Sequence, residues 1–587
     1  MPGALAALAM LAWSEAVRGA PRGAPPPLTE DHRAFLSRVA RRTLIDAAEG
    51  RPRYALGYVP KALESVQAEV VVRFRVRGLL VGQGTSGPAP IATACRDAAL
   101  AAFKLWRTRA PAAMAAPGEV LIEIEVPGAA EVVAFGADAT IGARANAFAP
   151  GLDGVIARHG NRRLVVYPTE FFSTNTGTAD TLRTLMSQLG LSEADAGKAS
   201  LERFRSEHWY EASSGGPVVS LRRGMTAVEG DELDRVRLTR AIDALGDHLL
   251  GRQQSSGFFS YEYDPVRDAY DSEPEFVRQA GAAAAIAVLA ARTDGDAPAS
   301  AARRTIEEHL KGLRAFPDDA EAAFIATPDG ANPLGVTALL ALALAEHPSA
   351  AEFAAVRGRL IRGMLRLQAP SGLFPTAFPP ARSLAAQDYF PGEAFLALAA
   401  DFTLAPSQAV NDGFDRGIGW YREHFRERPS PAFVIWQGQA YARMAQKTRR
   451  EDYIAFAFEL ADWGARGVIE AGPGVDPDLA GGVRGSYEEG AGASTASFLC
   501  LFADAAQLAR TVGDRGREDR YVALTRSAAR FVVQLQIRPE EAYFCPVPGD
   551  AVGGVRNSPA INRLRLDVCG HALVGLIKAR DVLFGDE

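Results

Sequence analysis

Acidic residues flanked by glycine and aromatic side chains recur in the C-terminal two-thirds of this chain, each time just ahead of an Ala-rich apolar run. The groups are Tyr261-Glu262-Tyr263-Asp264, Asp388-Tyr389 with Glu393 close behind, Tyr487-Glu488-Glu489-Gly490, and Arg563, Arg565 and Asp567 followed by Cys569-Gly570-His571. A glycosidic bond is cleaved by one proton donor and one base or nucleophile facing the same bond, so paired carboxylates of this kind suit acid/base work on a sugar. Glu489, Asp567, Glu488, Asp388 and His571 are the candidate catalytic residues. For Glu393 and Asp567 the alternative is a helix N-terminal carboxylate serving free N–H groups. Glu488 and Glu489, ending a Gly-rich loop before an apolar helix, are poorly explained as a solvated face.

Asp567 and His571 stand four apart and share one helix face, where they can exchange a proton or form a buried structural pair. Arg278, Arg563 and Arg565 bring cations to the same place, which suits an acidic sugar or simply neutralises the acids. Tyr261, Glu262, Arg278, Tyr389, Glu393, Trp436 and Arg565 are the candidate substrate-binding residues. Phe258, Phe259, Tyr261, Tyr389 and Trp436 offer rings for stacking or for core packing. A rival chemistry is zinc held by Cys569, His571 and one of Cys500 or Cys545, but these cysteines lack the close spacing of a ligand set. No Walker loop, nucleotide fingerprint or nucleophile elbow is present, so no cofactor is expected.

The elements that must position these residues read as helix pairs. Beyond residue 215 small-residue apolar helices open near Gly281, Gly335, Gly392, Gly438, Gly492 and Gly570, at spacings of 46 to 78 residues. Charged helices fall between them, over 233–252, 301–313, 351–367, 408–425, 451–465 and 518–535. Apolar helices belong inside and helices with one charged stripe outside, which predicts six inner and six outer helices in an all-α (α/α)6 barrel, without strands. An open solenoid of the same pairs is the alternative. Connections from inner to outer helices read short and those from outer to inner read long (254–275, 369–390, 467–489, 537–566). All the long loops then gather on one face, where a rigid barrel places binding and catalysis.

The phrases Gln254-Ser255-Ser256-Gly257-Phe258-Phe259, Gln368-Ala369-Pro370-Ser371-Gly372-Leu373-Phe374, and Gln536 leading to Tyr543-Phe544 repeat a Gln, a turn and an aromatic. With Tyr389 to Ala394 and Ile435 to Ala440, residues 233–583 resemble the six-hairpin glycosidases and the toroidal domain of glucuronyl epimerases. The resemblance implies a carbohydrate-active enzyme of hydrolase, lyase or epimerase type acting on a glycan or uronic-acid-containing sugar. The alternative is a non-catalytic toroid that binds a ligand or peptide.

Residues 30–214 read as α+β, with helices at 31–48, 90–106 and 180–189 and strands at 68–76, 119–126 and 163–167. The helix His32 to Ala48, the segment Val76-Arg77-Gly78-Leu79-Leu80-Val81-Gly82, and Gly154 to Gly160 leading into Leu164 to Pro168 resemble the AMMECR domain. That family's hallmark segment holds a cysteine, and this one does not, so the resemblance implies the fold and no activity. Residues 1–29, with Pro25 to Pro27 in succession, read as a stiff leader, and 215–232 as a linker. The run from Ala4 to Trp13 is too short to span a bilayer, with a signal peptide as the alternative reading. A net charge of -6 argues against a nucleic-acid partner. Four scattered cysteines favour a reducing, cytoplasmic setting. No membrane partner is expected, and the oligomeric state is left open.

Overall fold

The computed structural model describes residues 27–109, 115–136, 139–271, 273, 275–293, 295–485, 487 and 490–585. Residues 1–26, which hold the Ala4 to Trp13 run, and Glu488 and Glu489 lie outside the described residues, whereas Leu28 and Thr29, expected in the leader, belong to the first domain, with Leu28 buried and bonded to Glu207.

The first domain is built on one antiparallel sheet. In chain order its strands are β1 (Val71–Val76), β2 (Leu79–Thr85), β3 (Leu121–Pro127), β4 (Glu131–Val133), β5 (Asp153–His159), β6 (Arg162–Val166), β7 (Ser200–Glu211) and β8 (Val218–Leu221). The order is β2-β1-β3-β7-β5-β6, with β4 and β8 also pairing the long strand β7. The first half of β7 pairs β5 and its second half pairs β3. Helices Glu30–Ala48 and Ile91–Arg109 bury Leu36, Leu44, Ala98 and Trp106 against this sheet. Thr29 caps the first of them by accepting from the His32 amide.

The stretch expected as a linker is ordered instead. Residues 218–221 extend the sheet as β8, Val228 is buried in the toroid core, and its amide donates to Gln534. Only 212–215 and 217 form an exposed turn before it.

The second half forms two concentric rings. The inner helices are Phe276–Ala290, Leu334–Glu346, Phe390–Leu404, Pro431–Thr448, Thr495–Val512 and Leu566–Phe584, called here first to sixth. The outer helices are Arg235–Leu250, Asp296–Leu310, Ala354–Leu367, Gln408–Glu427, Glu451–Ala465 and Arg515–Leu535. Each inner helix packs against the next and the sixth against the first, so the ring is closed and the open solenoid is ruled out.

Glycine sits at every seam of that ring. A Cβ on Gly335 would lie 2.5 Å from the Glu393 carboxyl, one on Gly392 2.5 Å from Trp436 Cβ, and one on Gly438 2.3 Å from Leu501. Gly281, Gly570 and Gly575 face Leu339, Ala285 and Ala496 across the remaining seams. The second and third inner helices are buried on nearly every side, which is why their sequences carry no polar stripe. Gly492 does not open the fifth inner helix but precedes it, against the Tyr487 ring.

The toroid is not strictly all-α. Hairpin Leu313–Phe316/Asp319–Ile325 lies between the second outer and second inner helices, and Glu262–Asp264 pairs both Ala269–Asp271 and Leu564–Arg565. Most of these strands are too short for alternation to show, and the seven residues of Asp319–Ile325 do not alternate in burial. Nor are all the outer-to-inner connections long. Residues 251–275, 311–333, 368–389, 466–494 and 536–565 are, but 428–430 are a tight turn.

The repeated Gln-turn-aromatic phrase is a structural staple. The Nε2 atoms of Gln253, Gln368 and Gln536 donate to Gly257, Gly372 and Gly553 at 2.9, 3.1 and 3.0 Å. The same atoms reach Ala301, Gly413 and Ala241 on the next outer helix round the ring. In the first repeat the tie is Gln253, not the expected Gln254. Two residues beyond each glycine the chain enters the core, and Phe259, Phe374 and Val555 donate their amides to Gln279, Tyr421 and Cys569. Phe259 and Phe374 are therefore core residues rather than stacking platforms.

Gly372 has φ +91°, and a Cβ there would lie 2.0 Å from the Arg416 carbonyl. Gly372→Ala is expected to cost at least about 1–3 kcal/mol from the left-handed backbone alone, read as a lower urea midpoint at unchanged slope. Limited proteolysis should nick first within 212–217, and the two halves should still elute together, because side chains from both sides of the nick remain bound to the toroid.

Candidate active site

The inner helices all begin on the long-loop face, so their first turns define one mouth. Arg278 is the third residue of the first inner helix, Glu393 the fourth of the third, and Asp567 the second of the sixth. The third and sixth helices are opposite one another in a ring of six, so Glu393 and Asp567 lie in the first turns of opposite inner helices.

Their environments differ. Asp567 is partly buried and receives Arg565 at 3.1 and 2.5 Å, with Arg278 Nε at 3.6 Å. Burial alone would raise its pKa, but Arg565 and Arg278 hold its carboxyl below the usual aspartate value. Asp567 is thus held in its ionised form. Glu393 is 4% exposed and its Oε2 has no hydrogen-bond partner. Burial pushes it up to about 8, with Arg278 opposing only in part. Glu393 is protonated at neutral pH, and its first-turn place is no cap, since the carboxyl lies against Gly335 of the neighbouring helix. One guanidinium, that of Arg278, influences both acids.

The other candidates divide. Tyr261 accepts from Arg278 Nε at 3.0 Å, and its ring lies between Arg278 and Arg565 at 5.4 and 5.9 Å. Glu262 pairs with Arg565 along the strand ladder, lies 3.5 Å from Arg563, and is shifted upward chiefly by burial. His571 is lowered by burial against the pull of Asp567 and is a neutral imidazole, its ring 5.2 Å from Trp436. Asp388 instead faces His424 of the fourth outer helix at 3.3 Å, and Tyr389 is half exposed beside it. Phe258 packs on Phe276 and His309 rather than facing the axis.

Contacts between non-adjacent inner helices can only cross the axis, and they reveal residues that the sequence reading missed. Below the Trp436–His571 contact, Lys578 of the sixth helix bonds Gln439 of the fourth at 3.1 Å and Asp504 of the fifth at 2.7 Å. Below that, Arg443 of the fourth helix pairs with Glu346 of the second and donates to Thr403 of the third. The signal was present: 436, 439 and 443, and 571 and 578, fall on single helix faces, and these polar residues interrupt otherwise apolar runs.

The zinc arrangement is not assembled. Cys500 lies against the His571 carbonyl, Cys569 accepts from Val555, and Cys545 lies in the long loop 536–565. Burial pushes Cys500 and Cys545 up to about 12 and Cys569 to about 11. Among the described residues no three His, Cys, Asp or Glu side chains gather to hold a metal, and no helix is long and apolar enough to cross a membrane.

The first domain grips the mouth from behind. Asn175, in the left-handed conformation at φ 54°, donates to Asp264 in the loop 251–275 at 2.8 Å and accepts from the Asn562 amide in the loop 536–565 at 2.7 Å. Tyr210 stacks on Tyr543 at 4.8 Å, and the β1–β2 turn presses Gly78 so close to Cys545 that a Cβ would lie 2.0 Å from its carbonyl.

The fold and site together define an (α/α)6 toroid with acids at opposite inner-helix entrances, joined to an α+β domain. No family model matches the chain, and no curated protein matches it in sequence. Solved structures show distant likeness. An uncharacterized protein from Pyrococcus horikoshii is 17% identical over 33% of this chain and 98% of its own, at TM-score 0.29. An inactive variant of an α-1,6-mannanase from Salegentibacter sp. HEL1_6, in complex with α-1,6-mannotriose, is 11% identical over 59% and 99%, at TM-score 0.42. An unsaturated glucuronyl hydrolase specific for heparin is 9% identical over 60% and 98%, at TM-score 0.43. At such identities and scores the reading of the site rests on the residues of this chain.

Asn175→Gly keeps the left-handed backbone and removes both hydrogen bonds. It is expected to cost about 1–3 kcal/mol and to raise amide hydrogen exchange in 260–266 and 561–567. Unchanged protection in both segments would show that the first domain does not hold the mouth.

Proposed function

We propose that the toroid mouth is the active site of a carbohydrate-active enzyme, acting on a glycan or uronic-acid-containing sugar. The observation that carries this reading is the pair of acids with opposed protonation at opposite inner-helix entrances. A protonated, desolvated carboxyl beside an ionised one is how two acids divide the roles of proton donor and charge partner at a sugar linkage.

Glu393 would donate its proton to the glycosidic oxygen as the bond to the anomeric carbon breaks. Asp567, ionised at all working pH, would stabilise the positive charge growing on that carbon or take the proton of the water that adds to it. Among the described residues, Arg278, Arg565 and Arg563 outnumber Asp567 and Glu262 in the mouth while Glu393 is neutral, which favours a substrate carrying a carboxylate. Trp436 and Tyr261 offer ring faces, and neutral His571 can donate or accept at a hydroxyl. Glu488 and Glu489 are kept as candidates from their sequence setting. Residues 30–214, read as AMMECR-like, would serve as an accessory domain to this site.

Glu393→Gln should lower turnover on the order of 10²–10⁴-fold, as loss of a general acid does, with the protein still folded. In the parent, activity should fall as pH rises through about 8, where Glu393 loses its proton. The stability sign follows from the same shift. The folded pKa is raised from 4.5 to about 8, so the contribution is full below pH 4.5 and is lost as pH rises to 8. Glu393→Gln should flatten that decline. Screening the full chain against uronate-containing and neutral oligosaccharides, with this variant as control, tests the assignment. A variant that turns over like the parent on every substrate cleaved removes Glu393 as the acid.

A further inference from the structure

The mouth acids do not engage Arg278, Arg563 and Arg565 equally. Arg565 gives Asp567 two hydrogen bonds, from Nε to one carboxylate oxygen and from Nη2 to the other, at 3.1 and 2.5 Å. Its guanidinium fork is spent on that one acid. Arg563 lies 3.5 Å from the Glu262 carboxylate, so its charge is balanced beside it. Arg278 differs. Its nearest approach to Asp567 is Nε at 3.6 Å, and the same Nε donates to the Tyr261 hydroxyl at 3.0 Å. Two guanidinium groups thus face one carboxylate whose oxygens Arg565 already holds, and the unbalanced positive charge falls on Arg278.

Among the described residues, Nη1 and Nη2 of Arg278 have no hydrogen-bond partner, and neither is enclosed, the side chain being 35% exposed in the first turn of its inner helix. The group is nonetheless held in place. Tyr261 fixes it at Nε and sets its ring 5.4 Å from the guanidinium carbon, two neutral contacts that orient the charge without cancelling it.

We propose that the Nη1 and Nη2 edge of Arg278 is the receptor for the carboxylate of an acidic sugar, an assignment that rests on reading the mouth as a carbohydrate site. A planar carboxylate meets that edge with two parallel hydrogen bonds, which a neutral hydroxymethyl group cannot reproduce. Arg565 and Arg563 serve the protein's own acids instead.

The receptor also links the sugar to the proton on Glu393. Arg278 is the charge that acts on Glu393, and it opposes the rise that burial causes. Among the described residues, the second and fourth inner helices on either side add no charge that shifts Glu393, nor do Asp567 and His571 of the sixth. A carboxylate seated on Arg278 would offset its charge, so Glu393 keeps its proton to higher pH when an acidic sugar is bound than when the mouth is empty.

Calorimetric titration of the full chain with the methyl glycosides of glucuronate, galacturonate and mannuronate, each beside its neutral hexose counterpart, tests this. At least one uronide is expected to bind about tenfold or more tighter than its neutral counterpart, the difference a bidentate charge-assisted pair makes. Arg278→Gln should remove that preference. Arg278→Lys, which keeps the charge and loses the fork, should retain only part of it and decides the matter should Arg278→Gln fail to fold. Near pH 8, where Glu393 titrates, uronide binding compared in two buffers of different ionisation enthalpy should take up protons in the parent and not in Glu393→Gln. Uronides bound no better than their neutral counterparts, or a preference undiminished by either substitution, overturn the receptor, and equal proton uptake in parent and Glu393→Gln overturns its link to Glu393. Arg278-dependent uronide binding supports the receptor even in a protein that cleaves no oligosaccharide. Cleavage that depends on Glu393 without any uronide preference keeps the enzyme and removes the receptor.

Discussion

Closure of the inner ring is the constraint on which everything else rests. Six helices can surround a common axis at this spacing only if each seam admits close approach, and a glycine meets that need at every seam. Once the ring is closed, the first turns of all six inner helices must emerge on one face. Side chains at those turns then converge, whatever their separation in sequence. Arg278 and Asp567 are almost three hundred residues apart and lie 3.6 Å from each other.

Closure also creates an interior with no place for water-facing side chains except along the axis. The polar residues found there are satisfied across it. Lys578 binds Gln439 and Asp504, and Asp504 keeps the lysine charged although burial alone would lower its pKa. These layers fill the lower part of the ring, below the inner-helix entrances that carry Arg278, Glu393 and Asp567. There the two acids are treated oppositely by the same physics: Glu393 is enclosed without a hydrogen-bonding partner, and Asp567 is enclosed between two guanidinium groups.

The first domain is joined to the toroid by more than its chain connection. Asn175 reaches two mouth loops at once, and Arg222 and Arg223 grip a third through Asp476 and Asp478. Long loops are the least constrained parts of a barrel, and this domain restrains three of them from behind. The strap of residues 218–228 belongs to both halves, pairing with the sheet at its start and entering the toroid core at its end.

Much of this architecture was legible in the residues themselves. Ala- and Gly-rich runs alternating with charged helices gave the two rings, because burial on all sides excludes polar side chains from inner helices and permits them on outer ones. The unequal connections located the mouth. What sequence could not show was anything that depends on distance across the ring. It did not reveal that Arg565 and Arg278 would clamp Asp567 and keep it ionised, or that Glu393, read as a helix-entry carboxylate, would lack any partner and hold its proton. The Gln-turn-aromatic phrase, part of the glycosidase resemblance, is a staple between outer helices, which sequence could not show because its partners lie about fifty residues or more away. Most hairpin strands escaped notice because two to four residues cannot establish a period of two, and Asp319–Ile325 because its exposed and buried residues fall in two blocks; the strap looked like a linker because its apolar residues serve two different cores. Local pattern determined which faces are buried; only the closed ring decided which charges meet, and those meetings set the protonation of the acids at the mouth.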